Sequence, residues 1–460
     1  MSGAPESSPP RAWDTVLKGA LCLLSAGLGA RGILKRAYIG QDFTYHRDLI
    51  LSFPEGYTYS NTNPPGLYWL GSLIRGHATQ DHYLPVLAGV FVALNAWGLW
   101  VLFGLLRGAV ASRLLWAAAC LFATLVPFRV IHAVALAADA FTLPLFAWIA
   151  VLTLRLYEDP RRGFSWVGLG TALLCALLCK YTFVGLLPAI ALLLGVSIAR
   201  RAGPGGRLRW ALIGVLCLVP AAACFLLQAE RSLALKGPIT SSQWLPAGAD
   251  PVMRWGDILL PKPGDAAVLA APEYQRGGLC GTRVFSYPAL LHVASFTDPM
   301  NLYEAPLHPR LEYWEARIQN QFLRTRTRAS QALQALSVQW SLPFSALALV
   351  GSLSCAARSA GALCCRASSL APAAVVLTVL ALGYYAPIVL SLHRLSDPYG
   401  QGYWLPRLIL PALVVFFSLG FVWVDQACAR PALSRYATAI RKALAGYTLV
   451  GALIYAAFLL

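Results

Sequence analysis

Charge is what this sequence has least of. Asp, Glu, Lys and Arg together make up 12% of its 460 residues, about half of the roughly 25% usual in soluble domains. That scarcity excludes a disordered chain and a coiled coil, both of which depend on charged residues. Cysteine is not scarce, at eleven, but no CxxC pair is present. Ten of the eleven fall in expected membrane spans, at their cytoplasmic ends or in cytoplasmic loops. Only Cys280 falls in an expected external loop, so no disulfide framework is implied. Internal repeats and low-complexity tracts are missing as well. The first residues, MSGAPESSPPRAWD, lack a short apolar core followed by a small-residue cleavage site. The segment 15–34 is therefore expected to be a retained first span.

What is present is oil. Apolar residues reach 58% before glycine is counted, against roughly 45–50% with glycine included in soluble domains. The expectation is an all-α, polytopic membrane protein forming a single integral membrane domain over 1–460. Roughly 20 apolar residues cross a bilayer core, and eleven such runs are present: 15–34, 84–106, 114–128, 138–156, 163–179, 181–199, 210–228, 336–356, 370–392, 408–425 and 443–460. Backbone in lipid must satisfy its own hydrogen bonds, so the runs are helices. They lack the two-residue alternation of barrel strands.

The net charge of +17 does not point to nucleic acid, because the basic residues are scattered between apolar runs. They serve instead to orient the spans. With the N-terminus in the cytoplasm, the inner segments hold 17 Lys and Arg and the short outer segments hold 9. The long 229–335 segment does not count in that rule. This arrangement puts the C-terminus outside. It also leaves two large external loops, 35–83 and 229–335. Long structured loops are usually functional. In the second, Leu311, Trp314, Ile318 and Phe322 recur at helical spacing with charges between them, as in an amphipathic helix lying on a membrane surface.

The densest polar cluster follows the first span. It runs from Asp42 through Tyr45, His46, Arg47 and Asp48 to Asn63-Pro64-Pro65-Gly66-Leu67-Tyr68. The Pro pair suits the first turn of a short interfacial helix. Elsewhere His132, Asp139, Lys180, Tyr403 and Arg407 sit at the edges of apolar runs, where ionisable groups raise functional hypotheses. The bland readings are belt aromatics for the loop, headgroup-seeking Lys180 and Arg407, and an interhelical hydrogen bond for His132 and Asp139. A carboxylate (Asp42, Asp48 or Asp139) can take a proton from an acceptor hydroxyl. Cations can hold a lipid phosphate and stabilise it as it leaves. Acidic ligands leave a divalent metal open, although no compact ligand motif is present and no cofactor is otherwise implied.

Taken in order, these segments resemble the GT-C superfamily of polytopic glycosyltransferases, in its ArnT, protein O-mannosyltransferase and RgtA/B/C/D-like branch. The resemblance rests on four features. They are Asp42 after the first span, the Asn63–Leu70 segment, Lys180-Tyr181-Thr182 before Leu186-Leu187-Pro188, and Tyr403-Trp404-Leu405-Pro406-Arg407-Leu408-Ile409-Leu410-Pro411. Arg407 here follows the aromatics where the family places it before them. The resemblance implies an inverting glycosyltransferase that uses a polyprenyl-phosphate sugar on the external or lumenal face. Asp42 would be the catalytic base, with Asp48 or Asp139 standing in for the second acid of the family's Asp-Glu pair, since Phe43 follows Asp42. Lys180, Arg407 and Tyr403 would bind the donor phosphate. His46, Tyr45, Asn63 and Tyr68 would line the acceptor pocket. Partners would be the lipid donor, membrane lipids, and an acceptor lipid, glycan or protein. The Ala/Leu/Arg-rich composition leans towards a bacterial inner membrane over an endoplasmic reticulum membrane. The rival is a secondary transporter, which would be expected to carry paired helix breaks near the midplane and internal repeats.

Overall fold

The computed structural model describes residues 12–39, 43–57, 64–78, 82–236, 254–256, 260–270, 286–297, 328–364, 370–392 and 405–460. Among the described residues the chain is helical and without strands. Nine helices among the described residues are long and apolar enough to cross a membrane, and two shorter apolar helices, Arg113–Leu125 and Gly163–Cys179, stand between them. These eleven coincide with the eleven runs read from the sequence. Their boundaries shift most at the eighth, where the helix Arg328–Cys364 extends well beyond 336–356 at both ends.

In chain order α1 is Ala12–Leu34, α2 Phe43–Ser52, α3 Gly66–His77, α4 Tyr83–Ala109, α5 Arg113–Leu125 and α6 Pro127–His132. A 3-10 turn, Ala138–Phe141, leads into α7, Thr142–Glu158, and α8 is Gly163–Cys179. A second 3-10 turn, Tyr181–Gly185, leads into α9, Leu186–Arg201, followed by α10, Pro204–Lys236. Two short helices, α11 (Asp265–Ala270) and α12 (Tyr287–Phe296), come from the 229–335 segment. The remainder are α13 (Arg328–Cys364), α14 (Pro372–Leu392), α15 (Leu405–Leu408), α16 (Leu410–Cys428), α17 (Pro431–Ser434) and α18 (Ala437–Leu459). The 35–83 segment thus contains two helices packed on each other. The second, α3, starts directly after the Pro pair, with Pro65 as its cap residue. The amphipathic helix expected around 311–322 lies outside the described residues.

Ion pairs and capping bonds sort the helix ends into two groups. At one end Asp14, at the start of α1, faces Arg107 at 3.3 Å, from the end of α4, and Arg113 at 3.6 Å, from the start of α5. At the same end Asp425 of α16 pairs with Arg441 of α18 at 2.8 Å. The second oxygen of Asp425 accepts from the backbone N–H groups of Ala111 and Ser112, at 2.7 and 3.0 Å. One buried carboxylate therefore closes the α4–α5 turn and anchors α18. Arg200, late in α9, donates to the carbonyl of Ala362, late in α13, at 2.7 Å. At the opposite end the start of α7, the end of α8 and the start of α16 meet.

That opposite end is recessed, because α5 and α8 are short. With 13 and 17 residues they span about 20 and 26 Å, less than the roughly 30 Å of a bilayer core. Pro127 breaks the path out of α5, and α6 turns within the protein. Every residue from 122 to 144 is buried. Irregular backbone at membrane depth is tolerated where protein covers it or where it lines a polar cavity, and here protein covers it. Arg129 is fully buried in this stretch; it donates to Ser25 Oγ at 2.9 Å and to the freed Thr124 carbonyl at the end of α5. Arg129 thus caps a truncated helix inside the protein.

Candidate active site

The recess holds one carboxylate between two cations. Asp139 sits on the 3-10 turn before α7, Lys180 caps the end of α8, and Arg407 lies on α15 just before α16. The Lys180 ammonium forms an ion pair with Asp139 Oδ1. Arg407 Nε lies 3.8 Å from Asp139 Oδ2. Asp139 and Lys180 are buried, and the Arg407 side chain is 17% exposed. The reading of Lys180 and Arg407 as headgroup-seeking surface cations is therefore corrected, since both point into the protein. Among the described residues the cluster sets one carboxylate against two basic side chains. His132 completes it. Burial first, then the Arg407 and Lys180 charges, push its imidazole down to about 3, so it is neutral at ordinary pH and adds no charge of its own.

Local sequence explains how the parts are held. The helical partner of the Ala140 carbonyl would be the N–H of residue 144, but that residue is Pro and has none. Asn95 of α4 supplies the missing donor: its Nδ2 gives hydrogen bonds to the carbonyls of Ala140 and Phe91, each at 2.9 Å. Three residues on, a Cβ added at Gly98 would come within 2.7 Å of Pro144 Cα, so α4 and the start of α7 touch through glycine. Thr142 Oγ1 donates to the Asp139 carbonyl at 2.7 Å. On the other side, the turn after Lys180 is fastened to α14 by a 2.7 Å hydrogen bond between Thr182 Oγ1 and the Tyr384 hydroxyl.

The first loop meets the cluster through backbone. The Leu136 N–H donates to the Tyr38 carbonyl at 3.0 Å, which ties the segment after α1 to the Asp139 hairpin. A Cβ at Gly66 would stand 2.7 Å from the Leu178 carbonyl oxygen and 3.0 Å from Cys179 Sγ. The glycine of the Asn-Pro-Pro-Gly segment thus packs on the last turn of α8, directly before Lys180. The 229–335 segment also reaches this end, because α12 contacts both α6 and α15. His292 of α12 lies between Ser345 Oγ, at 2.7 Å, and the Val338 carbonyl, at 2.9 Å, both on α13.

The other expected site residues are distributed as follows. Asp42, Asn63 and Tyr403 lie outside the described residues. Asp48 is exposed on α2 and pairs with its neighbour Arg47 at 2.9 Å. His46 and Tyr68 are buried against each other, with His46 Nδ1 3.1 Å from the Tyr68 hydroxyl. They sit inside the α2–α3 hairpin, and Tyr45 is the exposed member of the group. Among the described residues no group of three or more His, Cys, Asp or Glu is placed to hold a metal. Asn95 was not anticipated, although a lone amide in the apolar run of α4 was a signal of the kind that marks interhelical hydrogen bonds.

The fold and site define a class: a polytopic α-helical membrane protein with a recessed, buried cluster of two cations on one carboxylate. No family profile and no curated protein matches the sequence. Among solved structures, two crystal structures of ArnT from Cupriavidus metallidurans are similar. The apo state aligns with a TM-score of 0.33 and 17% identity, and the undecaprenyl phosphate-bound state with 0.35 and 16%. Each alignment covers 91% of this chain and 78% of the other. At scores this low, the class of fold rests on the chain's own helices and not on the likeness.

Proposed function

We propose that the chain is a membrane glycosyltransferase that moves a sugar from a polyprenyl-phosphate donor to an acceptor hydroxyl, in one inverting displacement. The observation that carries this reading is the convergence of Lys180 and Arg407 on Asp139 at the recessed end of the helices. A phosphate diester held by a greasy tail carries one negative charge, the sign that Lys180 and Arg407 attract. As the glycosidic C–O bond breaks, the bond electrons go to the phosphate, and the two cations stabilise the charge that grows there. The leaving phosphate is weakly basic and needs no protonation.

In this reading the acceptor hydroxyl gives its proton to a carboxylate while its oxygen attacks the anomeric carbon. Asp42 is the base. It stands three residues after Ile39 and directly before Phe43, in the segment whose Tyr38 carbonyl is bonded to the Asp139 hairpin. Asp139 is the anchor of the cations, because a carboxylate shared by two positive charges is a weak base. Tyr403, four residues before Arg407 in the sequence, is assigned to the donor side, and the α2–α3 hairpin to the acceptor side. The reaction takes place on the external face of a cell membrane, with the N-terminus in the cytoplasm. Burial of Arg129 and Lys180 supports that orientation, since buried charges drop out of the outer tally and the inner excess grows.

The test is to incubate the purified protein with radiolabelled polyprenyl-phosphate sugars, with and without divalent cations. Release of polyprenyl phosphate coupled to labelling of an acceptor supports the reading. Turnover of none of the sugars under any condition, by a protein that is folded and monodisperse, overturns it.

A further inference from the structure

We propose that Asn95 is a positioning residue of the phosphate site: it sets the Asp139 turn and, through Asp139, the attitude of Lys180 and Arg407. The inference rests on the reading of that cluster as the donor-phosphate site. Asn95 lies twelve residues into α4, about 18 Å along the helix from its start at Tyr83, and is 1% exposed. Its two amide hydrogens have carbonyl partners on α4 and on the 3-10 turn. Those partners fix which way the amide faces, because an oxygen pointed at two carbonyls would be repelled. Its Oδ1 has no hydrogen-bond partner among the described residues, so the side chain acts through what it donates.

The turn requires that donor. Pro144 removes the N–H that would otherwise cap Ala140, and Ala140 is bonded to Asp139 by the peptide itself. A turn with a dangling buried carbonyl can swing, and Asp139 swings with it. The cations cannot follow independently, since Lys180 ends α8 and Arg407 precedes α16. The chain from α4 to the phosphate therefore runs Asn95, Ala140, Asp139, then Lys180 and Arg407.

The experiment uses the full chain in detergent micelles, with a polyprenyl phosphate as the probe. Asn95→Leu keeps a branched side chain of four heavy atoms and removes both donors. It is expected to weaken probe binding about three- to tenfold, the range of one lost hydrogen bond. The same substitution in a Pro144→Ala background is expected to weaken binding less, because residue 144 then offers Ala140 an N–H. A role for Asn95 that does not run through the Ala140 carbonyl predicts no such rescue. Wild-type affinity in Asn95→Leu, or equal losses in both backgrounds, overturns the proposal. A thermal-unfolding cycle of Asn95→Leu, Asp139→Asn and the double variant is run alongside. If wild type binds no polyprenyl phosphate, the donor reading falls and the cycle alone decides. Non-additive losses then support Asn95 as the residue that positions the ion cluster, and additive losses overturn it.

Discussion

Arg407 Nε stands 3.8 Å from Asp139 Oδ2, although the two residues belong to the late and early halves of the chain. The pairing joins the start of α16 to the start of α7 across the recess, and Lys180 takes the other carboxylate oxygen. Two cations held this close repel each other unless something negative stays between them. Asp139 supplies part of that negative charge, and an incoming phosphate would supply more.

Asp139→Asn should therefore unfold more easily than the wild type. Leaving two buried cations without their shared carboxylate costs about 3–5 kcal/mol, the usual penalty for breaking a buried pair. Thermal unfolding in detergent measures the loss, and added polyprenyl phosphate should recover part of it. An unchanged melting temperature would show that Asp139 does not balance the cations.

Lys180→Ala and Arg407→Ala should each raise the donor KM about tenfold or more, the scale of a charge-assisted hydrogen bond. Arg430, exposed at the other end of the bundle, is the control. If Arg430→Ala has the same effect, the recess does not bind the phosphate.

Asp42→Asn should lower kcat by about two to four orders of magnitude, as loss of a general base does, while donor affinity stays near the wild-type value. Steady-state kinetics beside a binding measurement separates the two. Turnover close to wild type removes Asp42 from the mechanism.

Gly66→Ala tests the link between the first loop and α8. Its new methyl meets the Leu178 carbonyl and the Cys179 thiol, and overpacking of this kind costs about 1–3 kcal/mol. The displaced segment ends at Lys180, so the donor KM should rise along with the loss of stability. A variant that loses stability with no change in KM would uncouple the loop from the site.

His132 gives a pH signature. Its folded value, about 3, is below the roughly 6.5 of an unfolded histidine. The unfolded chain then binds the proton first as the medium acidifies. Stability from the neutral imidazole is complete above about 6.5 and is lost progressively as pH falls towards 3. Denaturation midpoints measured from pH 7 to pH 4 should fall less in His132→Gln than in wild type.

The spans were legible because lipid makes one demand of sequence, about 20 apolar residues in a row, and each of the eleven runs became a helix. The start of α3 was legible for a different reason: a Pro pair fixes backbone angles that suit a helix N-terminus. The grouping of Asp139, Lys180 and Arg407 on one side was readable from their places at the edges of runs. That Asp139 binds both cations was not, because pairing between residues so far apart depends on how short helices α5 and α8 drop their ends into the bundle. That His46 and Tyr68 are buried against each other was not readable either. A polar residue in a loop reads as exposed, and nothing local says that two of them will bury each other. Asn95 was visible as an oddity, but its role emerges only once Pro144 lies beside α4.

The stunted lengths of α5 and α8 have a further consequence. An anion that comes to Lys180 and Arg407 must shed its hydration shell on the way down. For free inorganic phosphate that dehydration is a steep toll, whereas the tail of a lipid-linked phosphate gains by remaining among acyl chains. Selection against the cell's abundant soluble phosphates would then require no dedicated recognition of the lipid, because dehydration alone does the sorting.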